Sequence, residues 1–311
     1  MPAERGRARP GRWRRHSRLA RRRLARLKPT TRGLIWGACA GALFCVLNAL
    51  MRSLALNMDV FQAQFLRYLF GLLVLLPLLL RGGLAAWWPK QVGGQFSRGA
   101  LHTIGLALWF VALPRIPLAD MTAIGFTGPI FIMIGSYLFL HEPMRWERWL
   151  AALLGFSGVM IVVAPKFSGS GGMYHLVMLA SAPMFAASFL LTKALTRHES
   201  TGVILLWQAF TVALFSLPLA LPHWQAPSSA QWFGFLVGGL LGSGGHYCLT
   251  RSFRIADISS TQSVKFLDLI WSALLGWLVF ADIPSRSTLI GGLVICATTI
   301  WIARREARPR I

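Results

Sequence analysis

Gln262, Lys265 and Asp268 recur at i, i+3 and i+6 within an apolar run, so on a helix they share most of one face. An amide, a cation and an acid on one face could hold both ends of a zwitterionic solute, or pass a proton. Counted from a helix start near residue 258, Lys265 lies roughly 10 Å and Asp268 roughly 15 Å deep, near the midplane of a bilayer. A charge at that depth costs about 2.5–3.5 kcal/mol on insertion scales, so each group must face protein or water. Lys can snorkel toward the headgroups, whereas Asp is too short to do so. Two readings remain: a pair that neutralises itself and merely packs, or a cavity-facing site for substrate or proton.

Other polar groups fall in apolar stretches too. Arg67 follows Gln62 and Gln64 about seven residues into its stretch, where it can serve a cavity or anchor to headgroups. Asn48 and Gln208 can contact a ligand or bond between helices. Trp36, Trp109 and Trp271 can stack on a flat solute, and belong equally to a lipid belt or core. His246 and Tyr247 follow Gly242-Ser243-Gly244-Gly245, a run that suits close helix packing first and a ligand second.

Enzymatic chemistry has no foothold. The seven His are scattered, no pair has metal-ligand spacing, and neither a G-x-S-x-G elbow nor a phosphate-binding loop occurs. No metal or cofactor is expected. Cys39, Cys45, Cys248 and Cys296 all sit in apolar segments and behave there as small hydrophobes.

The elements that position these groups follow from composition. The chain is 55% hydrophobic and 14% charged, against about a quarter charged in a soluble protein. Windows of about 20 apolar residues give spans at 33–52, 60–80, 98–114, 118–140 and 147–165, then 174–195, 201–221, 231–250, 258–280 and 287–303. With the N-terminus inside, loops and C-terminal tail on that side hold 13 Lys and Arg, against Arg52, Arg115, Lys166 and Arg286 outside. The positive-inside rule is satisfied, with both termini cytoplasmic.

Residues 1–32 carry thirteen further Lys and Arg. They read as a disordered cytoplasmic tail attracted by anionic lipid headgroups; a transit peptide or an upstream extension of the reading frame are the other readings. The charge is terminal rather than spread over a face, so no nucleic-acid partner is expected.

An internal repeat stands out. Leu140-His141-Glu142-Pro143-Met144-Arg145 ends the fourth span, and Phe280-Ala281-Asp282-Ile283-Pro284-Ser285-Arg286 ends the ninth. Glu142 and Asp282 read as structural hairpin acids that satisfy the N-terminus of the next helix. Five spans per unit is odd, so the second unit enters the membrane from the opposite side, as in secondary transporters. Counting back from the acids, Lys265 and Gly125 both stand at 17 residues, Asp268 and Gly128 both at 14. Gly125, Gly128 and Pro129 therefore match the charged pair and permit a helix break at a cavity.

Leu118 through Ile124, Gly128-Pro129, Leu140-His141-Glu142 and Gly155 through Val159 resemble the first EamA domain of drug/metabolite transporters. Gly245-His246-Tyr247, Ala256-Asp257, Gly276, Gly291-Gly292 and Arg304-Arg305-Glu306 resemble the second, and Arg67 matches an arginine common there. The resemblance covers residues 33–306. Asp282 departs from the usual Glu, and Lys265 stands where many members are uncharged. It implies ten transmembrane helices in an all-α integral membrane protein, built as two inverted five-helix repeats, 33–166 and 173–306, behind the tail 1–32.

The function expected is secondary transport, read as export, of small organic metabolites across the cytoplasmic membrane by alternating access, with proton coupling open. The alternatives are an integral-membrane enzyme on lipid-linked substrates and a sensor acting through the basic tail. The expected partners are a small organic solute and membrane lipids, with the protein a monomer or homodimer.

Overall fold

The computed structural model describes residues 27–125, 127–142, 146–163, 172–265, 267–283 and 286–307. The basic tail up to residue 26 and the side chain of Gln262 lie outside the described residues. Twelve helical segments follow: α1 (Pro29–Ala55), α2 (Val60–Gly82), α3 (Val92–Ala112), α4 (Leu118–Gly125), α5 (Gly128–Leu140), α6 (Trp146–Val163), α7 (Gly172–Leu195), α8 (Thr201–Ala220), α9 (Ser229–Ile255), α10 (Ile258–Lys265), α11 (Leu267–Phe280) and α12 (Arg286–Ala307). No strand occurs among the described residues.

Helix starts follow capping chemistry. Asp59 accepts from Phe61 N and Gln62 N ahead of α2, Ser200 accepts from Val203 N ahead of α8, and Ser228 with Gln231 forms a capping box ahead of α9. Each short polar residue satisfies N–H groups that a helix start leaves without an internal partner. Between α4 and α5 the turn tightens: Thr127 N bonds Ile124 O, and Ile130 N bonds Thr127 O. Pro129 has no N–H to continue the ladder, which gives the boundary between α4 and α5 a local physical cause.

The molecule reverses the soluble pattern. Phe139, Leu293 and Phe233 are exposed on its outside, while Gln62, Gln64, Arg98, His102 and Gln208 are buried within. Apolar exteriors suit lipid, where polar groups must be satisfied internally. By length and composition α1, α2 over Val60–Pro77, α7 and α8 are each able to cross a membrane. Polar and small residues dilute α9, and the pieces α5 and α11 are individually short.

Among the described residues, the most extensive helix interfaces each join one side of the 164–171 segment to the other. α1 packs on α9, α3 on α7, α6 on α12 and α2 on α8. The pattern survives exchange of the two halves: α1–α9 becomes α7–α3, α2–α9 becomes α8–α3, and the contact of α4 with α7 becomes that of α10 with α1. Glycine permits close backbone approach in one of these. A Cβ at Gly239 of α9 would meet the Phe70 backbone of α2 at 2.7 Å.

Both hairpins end alike. His141 and Ala281 adopt φ of 54° and 53°. The next amides, Glu142 N and Asp282 N, bond Ser136 O and Gly276 O six residues back. Each is a left-handed helix end built without glycine.

Candidate functional site

A cavity of about 210 Å³ lies between the halves. One wall is Phe44, Cys45 and Asn48 of α1, Arg67 and Tyr68 of α2, and His102 and Trp109 of α3. Thr122 and Gly125 of α4, and Gly128 and Pro129 of α5, form a second. The opposite half supplies Ala182, Phe185 and Phe189 of α7, His246 of α9, Lys265 of α10 and Asp268 of α11. Lys265 stands seven residues into α10, about 10 Å along its axis. The lining reaches Leu118, the first residue of α4, so the cavity extends from mid-bundle toward the end where α4 begins.

The four residues linked by register, Gly125, Gly128, Lys265 and Asp268, all line this one cavity. A Cβ at Gly128 would meet nothing within 4 Å, and one at Gly125 only the Met178 Cε at 3.9 Å. These glycines keep space open where the other half places charge. Lys265 and Asp268 form no ion pair among the described residues. Instead the Lys265 ammonium sits 4.6 Å from the Phe189 ring centroid, and the Asp268 carboxylate packs on Gly41, where a Cβ would overlap it. The two lie beyond ion-pair distance, yet each remains the other's charged neighbour.

A polar layer backs the cavity. Tyr68 Oη lies 2.9 Å from His102 Nε2 and 3.4 Å from His246 Nε2. His102 Nδ1 reaches Ser188 Oγ at 3.1 Å. Arg98 is fully engaged: it donates to Thr192 Oγ1 at 2.6 Å, to Ile204 O at 3.0 Å and to Gln208 Oε1. Gln208 therefore serves this interhelical layer and stands outside the main cavity, because Arg98 and His246 occupy both ends of its amide. Tyr247 also stands outside: successive helix residues point about 100° apart, and Tyr247 is 41% exposed with its ring edge-on to Trp36. Arg67, Asn48, Trp109 and His246 do line the cavity.

Spacing along the chain does not reach Tyr68, His102, Thr122, Phe185 or Phe189. Each contributes one side chain from a different turn, and only the packing of α3 on α7 and of α2 on α9 gathers them. The adjacency of Arg67 and Tyr68 is the one local signal.

The hairpin acids reach across the halves. Glu142 accepts from Ile258 N, the first residue of α10, at 3.1 Å and lies 3.8 Å from Lys193 Nζ. Lys193 also donates to Phe253 O and Ala256 O at 2.6 and 2.7 Å. Asp282 accepts from Arg52 at the end of α1, at 2.7 Å, and Arg52 lies over the Phe280 ring. So each acid is tied to a cation near the C-terminal end of the first helix of the other half, a partner the sequence reading of a local helix cap does not anticipate.

Fold and interior together describe a polytopic membrane protein with a solute-sized cavity between two related halves. The EamA-like transporter family matches the chain twice, over residues 31–164 and 172–304. The chain belongs to that family, and is a membrane transporter of the drug/metabolite type. It is 33% identical to a riboflavin transporter of Rhizobium johnstonii, over 89% of this chain and 92% of that protein. It is 27% identical to an S-adenosylmethionine uptake transporter of Rickettsia prowazekii, over 91% and 96%. A pseudopaline exporter of Pseudomonas aeruginosa is 25% identical over 88% and 96%. A crystal structure 19% identical in sequence superposes with a TM-score of 0.72, over 89% of this chain and 98% of that one, which is a likeness of fold.

Proposed function

We propose that the two matched regions are five-helix units of opposite membrane orientation, and that the protein moves a small organic solute by alternating access through the cavity between them. The observation that carries this is the cavity wall itself: both halves contribute to it, and Arg67, Lys265 and Asp268 all line it. The exchange-symmetric helix contacts and the paired hairpins support the repeat. The cytoplasmic membrane is the site of action, with both termini on the cytoplasmic side. Lys265, Asp268, Arg67, Asn48, Trp109 and His246 contact the solute. Asp268 is the only carboxylate lining the cavity among the described residues, and is the group for a coupling proton.

The bundle end where α10 begins is held by Lys193 and Glu142, the other by Arg52 and Asp282. Both ties are formed together in this structure, and rocking of the halves opens one end at a time by releasing one of them. The relatives are named for uptake and for export, so the direction, export in the sequence reading, is set by gradients rather than by the fold. Solutes the size of riboflavin or S-adenosylmethionine are the class to try first.

The test is a single cysteine at Thr122 in a protein otherwise free of cysteine, probed from each membrane face with an impermeant thiol reagent. Labelling from both faces, with solute shifting the ratio, is expected. Labelling from one face only, whatever solute is present, would overturn alternating access.

A further inference from the structure

The geometry points to Arg67 as an anion-receiving subsite, for a solute that carries a carboxylate or phosphate on a flat aromatic body. This rests on the transport reading of the same cavity and adds the chemical class of its cargo. Arg67 is 7% exposed and lines the cavity. Its Nε and Nη1 are buried and have no hydrogen-bond partner among the described residues. Its guanidinium stacks on the Tyr68 ring, 4.4 Å from the centroid, which holds the plane but neutralises nothing.

Other arginines of this bundle have acceptors for their N–H groups. Arg98 has three acceptors, and Arg52 has Asp282. Among the described residues Arg67 has no acceptor at Nε or Nη1 and no ion pair, and removing a charge from water without pairing it is costly. Gly242 leaves room for it: a Cβ there would stand 3.3 Å from Nη2.

Arg67 and Lys265 against Asp268 give the lining one cation in excess, with Tyr68, His102 and His246 as hydrogen-bonding neighbours. A planar fork of N–H donors matches a group presenting two oxygens, and does so better than a point charge. Phe44, Phe185, Phe189 and Trp109 supply faces and edges for the attached ring. The cargo is therefore an aromatic organic anion, with its oxygens at Arg67.

Three probes of one shape test this on the purified full-length protein: 2-naphthoate, 2-naphthyl phosphate and neutral 2-naphthamide, measured by equilibrium binding. At least one anion should bind about tenfold or more tighter than the amide. Arg67→Gln should weaken that anion about 10- to 100-fold and leave the amide within about twofold. Arg67→Lys should fall between them, retaining charge without the fork. Whichever anion is preferred identifies the oxyanion.

Equal binding of all three, no anion binding up to about 1 mM, or an anion preference that survives Arg67→Gln would each overturn the assignment. If Arg67→Gln does not fold, the wild-type preference and the Arg67→Lys value decide. Gly125→Leu, whose side chain would enter the cavity, separates the two levels. Loss of all probes there without an anion preference in the wild type sinks only the anion subsite. Probe binding that persists in Gly125→Leu places the probes elsewhere, and the cavity reading fails with it.

Discussion

The carboxylate of Asp268 rests against the bare α-carbon of Gly41, so closely that a methyl group on Gly41 would occupy the position of Oδ1. The acid that faces the cavity from one half is thereby held by a missing side chain in the other. Gly41→Ala should push the carboxylate from its place and lower transport at least tenfold, with membrane abundance within about twofold of wild type. Gly244→Ala, where a Cβ would meet only Leu43 at 3.6 Å, should change neither. Equal effects of the two would show that helix glycine content, not the Asp268 position, matters.

Lys265→Ala and Asp268→Asn should each abolish transport. Because the two groups are not ion-paired, the double change should not restore it. A merely structural pair behaves differently: each single change strands a charge, and the double change recovers function. Transport rate and abundance of the three variants, measured together, separate these cases.

Arg52→Ala should loosen one end of the bundle and Lys193→Met the other. The Arg52–Asp282 pair is partly exposed, so its stabilising effect is about 1 kcal/mol or less. The expected readout is therefore accessibility rather than folding. Each variant should raise thiol labelling of a cysteine at position 122 from its own face and lower it from the opposite one. Parallel changes from both faces would show a general loosening and no gate.

His141 and Ala281 hold left-handed backbone without being glycine. Relief of that strain is worth about 1 kcal/mol per position, offset in part by the greater freedom of glycine in the unfolded chain. Ala281→Gly should raise the midpoint of thermal unfolding in detergent, and His141→Gly should do the same. A fall at both positions would mean the Cβ atoms make contacts that outweigh the strain.

A chain that starts at Thr31 should carry solute at the wild-type rate per inserted molecule. Collapse of that rate at normal abundance would instead make the basic tail a working element.

The register of four cavity-lining residues was legible because two hairpins serve as rulers. Equal counts from Glu142 and Asp282, 17 residues for Gly125 and Lys265 and 14 for Gly128 and Asp268, match the two pairs between the halves. The four share a single cavity. The partners of the rulers were not legible. Glu142 ties to Lys193 and Ile258, and Asp282 to Arg52, because packing between halves outranks position along the chain. Tyr68, His102 and Phe189 escaped for the same reason, and Gln208 was drawn to Arg98 by a neighbour no periodicity announces. At Pro129 a missing N–H could be read directly from the residue, and the turn duly tightens there.

The helix pairing bears on how such a chain is made. Because its broadest interfaces join residues before 164 to residues after 171, the first-synthesised half reaches the membrane with its polar seams facing lipid. Arg98 must wait for Thr192, Ile204 and Gln208 to be translated before its guanidinium is satisfied. The protein matures as two halves of one subunit that recognise each other, and a nick within 164–171 should leave fragments that assemble only when both are present in the same bilayer.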